Sequence, residues 1–448
     1  MTSETPEAPR AIVQRMAMRL WESPIVHGSF SGLIGNFSST ALFMARSVLI
    51  ARALGSQAFG LMAYALVLAM FVAEFIDMRS GDLIIRFVGA SVVKKEYSRA
   101  ATFLHLGILV DAAASLAAVA VIAVIVIPLA AGHPDHARLQ TLIRIFMLAV
   151  PLRLLKSPFY SLLVALKRFP LMAILQLVVR LADLGLVLAL IPFGLMAVAG
   201  SAVIVAAFDL GLTAATALWV LWRRTGTLRG DDYLRAWREF RPFAVYGSLL
   251  GSLQSLTANL DVVVLGALRP PSEVAFYAIA RSAAAVLATA VGPVSQSVYP
   301  LMNEAWTMKD LPRVRRLIGS LVAINGTLST LATVFILLTA EWLILLFYGP
   351  DFSPAAPVLR ILIVVIGLQT ITGWMRQMIL IAGFPRADLI AGFIGTGFCL
   401  VWLVPLVQWG GAVGLSVLLV LDVLVMVTVL GWLLARRVGL WASPGLVT

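Results

Sequence analysis

Cysteine, histidine and charge are scarce in this sequence. Its 448 residues include one cysteine, four histidines and only 12% charged residues, whereas soluble domains carry about 25% charged residues. The lone Cys399 excludes an intramolecular disulfide and a cysteine metal site. Hydrophobic residues make up 61% of the chain. The composition therefore predicts an all-α integral membrane protein.

Signals of catalysis are also missing. The chain lacks the GxxxxGK[ST] loop that holds nucleotide phosphates, and no serine–histidine–aspartate or cysteine–histidine arrangement can be argued from it. His133, Asp135 and His136 are the one group with metal-type side chains. They lie in a short loop without further ligands, which is typical of a solvated turn. We therefore expect a transporter that is not an enzyme and that uses no metal or cofactor.

Apolar segments long enough to cross a bilayer dominate what is present. A membrane span needs roughly 20 apolar residues. Twelve segments qualify, at about 28–51, 61–80, 101–130, 140–163, 171–191, 195–222, 243–268, 274–298, 317–346, 357–382, 388–408 and 411–435. We expect each of these segments to be a transmembrane helix.

The first six spans and the last six repeat each other at a spacing of about 213 residues. The matching segments are 54–65 with 265–278, 144–146 with 360–362, 165–170 with 382–386, and 192–209 with 405–422. Many transporters consist of two copies of one apolar unit, with the substrate site between them. The repeat predicts two six-helix lobes, here called the first half (28–222) and the second half (243–435). A cytoplasmic linker at 223–242 joins them.

The net charge of +12 reflects topology and contact with membrane lipids, not nucleic-acid binding. With the N-terminus in the cytoplasm, 23 of the 34 lysines and arginines lie on the cytoplasmic side, and the outer loops hold only Arg52, Arg138 and Arg269. This asymmetry follows the positive-inside rule. We expect both termini to be cytoplasmic, with an interfacial amphipathic segment at 1–27, a tail at 436–448 and no cleaved signal peptide.

Basic side chains at span depth are the main candidates for substrate binding, because each costs about 2.5–3.5 kcal/mol at a helix centre. Depth alone selects Arg153, Lys156 and Arg180 near the middle of the membrane. Arg46 and Arg281 lie one to two turns below the outer surface. Each side chain would need a partner, water or a cavity.

Acidic side chains at the same depth leave two interpretations open. Glu74, Asp77 and Asp261 are candidates for ion coupling or for pairing with nearby arginines. Asp183 follows Arg180 by three residues, so an intrahelical ion pair competes with a cavity role for Arg180. The mid-depth cations could instead all be paired, with Asp183, Asp111 and Asp209 as the acids. Asp209 and Asp422 occupy equivalent repeat positions, which favours a shared packing or ion-pair role.

Short motifs along the chain form a recurring pattern. They are Leu49 to Gly55 followed by Phe59-Gly60, Leu260-Asp261 followed by Leu265-Gly266, and Leu346 to Gly349 followed by Phe352. This pattern resembles that of the polysaccharide flippases. These are the O-antigen and exopolysaccharide exporters of the multidrug/oligosaccharidyl-lipid/polysaccharide (MOP) superfamily. Asp82 stands where that family more often has an apolar residue.

The resemblance implies a fold and a function. The fold would be a V of two six-helix lobes, with spans 1, 2, 7 and 8 lining a central cavity. The substrate would be an undecaprenyl-pyrophosphate-linked oligosaccharide, moved from the inner to the outer leaflet of the bacterial inner membrane. Arg46 and Arg281 match cavity-lining spans by position, and would bind the pyrophosphate. Polysaccharide polymerase and export machinery are candidate partners.

Three other readings stay open at this point. A cation-coupled multidrug exporter of the same superfamily would use Glu74, Asp77 or Asp261 to bind Na⁺ or H⁺ in an apolar, aromatic cavity. A lipid II flippase is a closer relative of the polysaccharide flippases. A non-transporting membrane scaffold would have no need for charges at the midplane.

Overall fold

The computed structural model describes residues 24–225 and 229–437, and this part of the chain is helical with no β-strand. The predicted interfacial segment at 1–27 lies almost wholly outside the described residues, as does most of the tail at 436–448. The helices are α1 (Pro24–Ile76), α2 (Ser80–Val93), α3 (Tyr97–Val121), α4 (His136–Ala165), α5 (Phe169–Leu190), α6 (Leu195–Thr225), α7 (Tyr233–Leu268), α8 (Pro271–Thr307), α9 (Leu311–Phe347), α10 (Ala355–Thr372), α11 (Trp374–Ile381) and α12 (Pro385–Arg437).

The helices confirm an all-α membrane fold. Seven helices of the described chain are long and apolar enough to cross a membrane. Two of these are too long for one crossing: α1 and α12 each contain two predicted spans, divided by Gly55 at φ +77° and by Gly411 at φ +53°. Only glycine adopts such left-handed conformations without strain. The helices are therefore consistent with about twelve crossings.

The inner end of the second predicted span differs from the expectation. The chain breaks after Ile76 and resumes as α2, a 14-residue helix where the sequence suggested a loop. Leu83, Ile84 and Val88 are buried and pack with α3 and α4. Their spacing of one, four and five residues places them on one helix face, so burial of that face explains why the segment is helical.

Close backbone contacts join the two halves at the end that the charge pattern predicts to be outside. A Cβ atom on Gly60 would collide with the backbone of Pro271, and one on Gly266 would collide with the ring of Tyr64. Phe59 from the first half and Phe276 from the second both contact the Phe352 ring edge-on. The glycine and aromatic motifs thus form a packed seal between the halves.

The C-terminal part of the linker packs against the first half. This part, residues 233–242, belongs to α7, which begins at Tyr233 and runs without a break into the seventh span. Ala236 and Phe240 lie one turn apart and are buried against the first half. Arg99 on α3 donates to both carboxylate oxygens of Glu239, at 2.9 and 2.6 Å.

Candidate functional site

Arg46 is held in a buried ion pair between spans one and five. Its Nε donates to Asp183 Oδ1 at 2.9 Å, and the two side chains are 17% and 8% exposed. Asp183 therefore pairs with a neighbouring helix and not with Arg180 of its own. Taking two such charges out of water is costly, so each depends on the other for compensation.

Lys156 is also paired within the first half. Its ammonium donates to Asp209 Oδ2 on α6 at 2.6 Å, and Thr213 donates to the other oxygen of Asp209 at 3.2 Å. The Tyr160 ring lies beneath the ammonium, with its centroid 5.6 Å away. These contacts satisfy Lys156 locally and tie α4 to α6.

Arg153 and Arg180 remain as cations without a carboxylate partner at ion-pair distance in the described part of the chain. Arg153 donates to a weak acceptor, Met70 Sδ, at 2.8 Å. Arg180 donates to Ser39 Oγ at 3.2 Å and lies 5.5 Å from the Phe43 ring centroid. The Arg153 side chain is accessible although it lies deep among the helices, and its charge interacts with that of Arg180. Together the two form a positive region at the depth that the sequence predicts to be the middle of the membrane.

Glu74 connects this positive region to the second half. Its carboxylate accepts a hydrogen bond from Asn259 on α7 at 2.6 Å. It also interacts electrostatically with Arg153 of the first half and Arg281 of the second. Glu74 thus lies between the basic side chains that the two halves contribute.

Arg281 is in contact with acidic and phenolic groups of its own half. Its Nη1 lies 3.6 Å from Asp261 Oδ2, and 45% of its side chain is exposed. The same oxygen of Asp261 accepts a hydrogen bond from the buried Tyr277 hydroxyl at 2.6 Å. The longer distance and greater exposure leave Arg281 more accessible to a ligand than Arg46.

Asp77 has a local backbone contact at the break after α1. Its Oδ1 accepts a hydrogen bond from the Arg79 backbone N–H at 2.9 Å. Arg79 itself has φ +49°. Next to it, Ser80 donates to Asp111 Oδ2 at 2.6 Å. Both carboxylates therefore stabilise the start of α2, a role that the sequence pattern did not indicate.

A cavity of about 650 Å³ lies inside the second half, lined by residues of α7, α10, α11 and α12. Arg376 at its edge donates to Asp388 Oδ2 at 3.1 Å. Asp422 faces the same cavity and interacts with the Cys399 thiol, while its Oδ1 is buried without a hydrogen-bond partner. Sequence reasoning missed this cavity because its lining comes from four separate helices.

The turn at His133 to His136 is organised by local contacts. The His133 Nδ1 accepts a hydrogen bond from the Asp135 backbone N–H at 3.1 Å, and its ring packs on Tyr64. Burial lowers the pKa of His133, opposed in part by the Asp135 carboxylate. No group of three or more potential metal ligands occurs among the described residues.

Comparison with known sequences identifies one family. The profile of a family described as "Polysaccharide biosynthesis protein" matches residues 25–306. No curated protein has significant sequence similarity to the chain.

Solved structures share the fold over nearly the whole chain. An inward-facing multidrug resistance MATE family transporter of the MOP superfamily has a TM-score of 0.67 at 14% identity, covering 90% of this chain and 95% of its own. The lipid II flippase MurJ, in an inward closed conformation, has a TM-score of 0.71 at 12% identity, covering 90% and 87%. A MOP superfamily transporter from Pyrococcus furiosus has 0.59 at 15% identity, covering 94% and 96%.

Proposed function

Because the chain belongs to the polysaccharide biosynthesis protein family, we propose that it is a flippase for an undecaprenyl-pyrophosphate-linked oligosaccharide. It moves this lipid-linked repeat unit from the inner to the outer leaflet of the bacterial cytoplasmic membrane. Both termini are cytoplasmic in this proposal. Polysaccharide polymerase and export machinery act on the product.

The observation that carries the proposal is a pair of cations, Arg153 and Arg180, that have no carboxylate at ion-pair distance in the described chain. A pyrophosphate-sugar headgroup cannot enter hydrocarbon, because burying its charges without partners costs tens of kcal/mol on Born estimates. Guanidinium groups replace part of the lost hydration, since they bind phosphate oxygens through parallel hydrogen bonds. Arg281, accessible across the interface, supplies a third contact from the second half.

The ion pair at Arg46 suggests a supporting role for that residue. An arginine whose Nε is held by a buried carboxylate positions α1 against α5 and is less available to a ligand. In this proposal Arg46 and Lys156 hold the helices, whereas Arg153, Arg180 and Arg281 contact the substrate. Glu74 and Asp261 separate the substrate cations and reduce their mutual repulsion.

Complementation of a deletion strain, measured as export of surface polysaccharide, tests the proposal. Arg153→Ala, Arg180→Ala and Arg281→Ala are each expressed at wild-type level and scored for surface polysaccharide and for lipid-linked oligosaccharide on the cytoplasmic leaflet. We expect surface glycan to fall and the precursor to accumulate. Arg144→Ala is the matched control, because Arg144 is exposed on the same helix as Arg153. Full export by all three test variants would contradict the proposal.

A cation-coupled multidrug exporter is the second candidate, and the cavity around Asp422 favours it. A carboxylate that faces a cavity and has no cation at ion-pair distance in the described chain is suited to bind H⁺ or Na⁺. This candidate predicts resistance to cationic dyes that collapses in Asp422→Asn while surface glycan is unchanged. A lipid II flippase would instead leave surface polysaccharide intact and move the peptidoglycan precursor.

A further inference from the structure

A basic groove lies at the end of the first half that the charge pattern predicts to be cytoplasmic. It has a volume of about 770 Å³ and is lined by the α4–α5 turn and the last turns of α6. Lys167, Arg168 and Arg223 supply three exposed cations, and no acidic residue lines the groove. None of the three has a carboxylate at ion-pair distance in the described chain.

Aromatic side chains place the groove at the membrane interface. The Arg223 guanidinium lies 4.4 Å from the Trp219 ring centroid. Trp219 and Phe169 are large apolar side chains that remain half exposed. Tryptophan is enriched where a helix meets the headgroup layer, because its ring is apolar and its N–H is polar. The groove thus combines an apolar rim facing acyl chains with three cations at headgroup depth.

The backbone of Lys167 has a conformation that Lys95 and Lys309 also adopt, at φ +61° and +58°. Lys167 has φ +57°, a left-handed conformation that disfavours any residue with a Cβ. The corresponding turn of the second half has Gly383, at φ +83°, in this place. The Gly383 backbone N–H donates to the carbonyl three residues earlier, and the Lys167 backbone N–H does the same. The turn of the first half therefore carries a lysine where the equivalent turn of the second half has a glycine.

The second half also supplies an internal comparison. Trp432 and Arg436 repeat the ring–guanidinium contact of Trp219 and Arg223, at 4.6 Å. The turn beside them has Gly383 where the first half has Lys167. The turn of the second half carries one exposed cation, Arg386, whereas that of the first half carries two, Lys167 and Arg168.

We propose that this groove binds the phosphate of an anionic phospholipid of the inner leaflet. Lys167, Arg168 and Arg223 contact the phosphate oxygens by charge-assisted hydrogen bonds. Trp219 packs against the glycerol and the first acyl carbons. The α5 N-terminus adds favourable electrostatics, because it begins beside Arg168 without a side-chain cap. This site is separate from the proposed glycan pathway and does not depend on it.

The test uses the full chain purified in a neutral detergent. Thermal unfolding is followed while phosphatidylglycerol, phosphatidylcholine or inorganic phosphate is added. We expect phosphatidylglycerol to raise the unfolding midpoint and the other two to have no comparable effect. The double substitution Lys167→Gly with Arg223→Gln should raise the phosphatidylglycerol concentration that gives half of the midpoint shift at least about tenfold. This corresponds to a loss of about 1.4 kcal/mol in binding free energy.

Two features keep the test decisive. Lys167→Gly relaxes the backbone, so a lost lipid response does not arise from a strained turn. Arg436→Gln removes the equivalent arginine of the second half and should leave the lipid response unchanged. The proposal is overturned if the double variant responds like wild type or if Arg436→Gln weakens the response equally. It is also overturned if phosphatidylcholine or inorganic phosphate matches phosphatidylglycerol.

Discussion

In the first half, the Asp209 carboxylate accepts a hydrogen bond from Lys156 at 2.6 Å. In the second half, Asp422 occupies the equivalent repeat position, but no cation lies at ion-pair distance from it in the described structure. Gln369 stands at the same repeat spacing from Asp422 as Lys156 does from Asp209, and it lines the cavity that Asp422 faces. The repeated helix pair therefore contains an ion pair in the first half and a carboxylate that faces a cavity in the second half.

This difference shows how a duplicated unit acquires two electrostatic characters. The first half has surplus cations, Arg153 and Arg180, after its ion pairs are formed. The second half has a surplus anion, Asp422, after Arg376 and Arg281 contact their aspartates. Loss of one partner from a buried pair leaves the remaining charge in need of water or a ligand. One replacement can thus convert a structural contact into a binding group.

The largest effect should come from removing the surplus cations of the first half together. In Arg153→Ala with Arg180→Ala, we expect export of surface polysaccharide to fall at least a hundredfold, because each charged hydrogen bond contributes about 1.5–3 kcal/mol. Surface glycan in a deletion strain measures this. The protein level should match wild type, since neither arginine compensates a buried acid. Export equal to that of wild type would show that the surplus cations of the first half do not bind the substrate.

Next in size is the effect of breaking the Arg46–Asp183 pair. Arg46→Ala leaves a buried carboxylate without its cation, and such changes cost about 3–5 kcal/mol. We expect a lower thermal unfolding midpoint in detergent and reduced membrane levels. Adding Asp183→Leu to Arg46→Ala should restore most of the stability and part of the export. If Arg46→Ala abolished export at normal stability, Arg46 would instead contact the substrate.

The two equivalent aspartates should respond oppositely to the same substitution. Asp209→Asn leaves Lys156 without its counter-charge, and we expect a stability loss of about 1–3 kcal/mol. Asp422→Asn should be neutral or stabilising, because no cation of the described residues lies at ion-pair distance from its carboxylate. Paired thermal unfolding measurements compare them. Equal destabilisation by both would indicate that the two positions are alike after all.

The smallest effect should come from giving the second half the pair that it lacks. Gln369→Lys places an ammonium in the cavity near Asp422, and we expect stabilisation of about 1 kcal/mol, in the range of partly exposed ion pairs. Thermal unfolding of Gln369→Lys, alone and with Asp422→Asn, provides the measurement. The gain should vanish in the double variant. A gain that persisted there would come from packing and not from the charge pair.

Several features of the chain could be predicted from its residues. Runs of apolar residues locate the helices, because a bilayer span must satisfy its backbone internally and present apolar side chains. Phe59, Gly266 and Phe352, which mark the family resemblance, proved to lie where the halves meet. The break before Ser80 and the docking of Phe240 were not predicted, since both depend on surfaces contributed by other helices.

The sequence by itself determined which groups are charged at span depth, the repeat that relates them and the family to which the chain belongs. Only the tertiary structure decided their partners. Asp183 lies three residues from Arg180, yet it bonds Arg46, which is 137 positions away in the chain. Helix periodicity gives the face on which a side chain lies, but packing decides which neighbouring helix that face meets. The surplus charges on which the proposed function depends are what remains after this pairing.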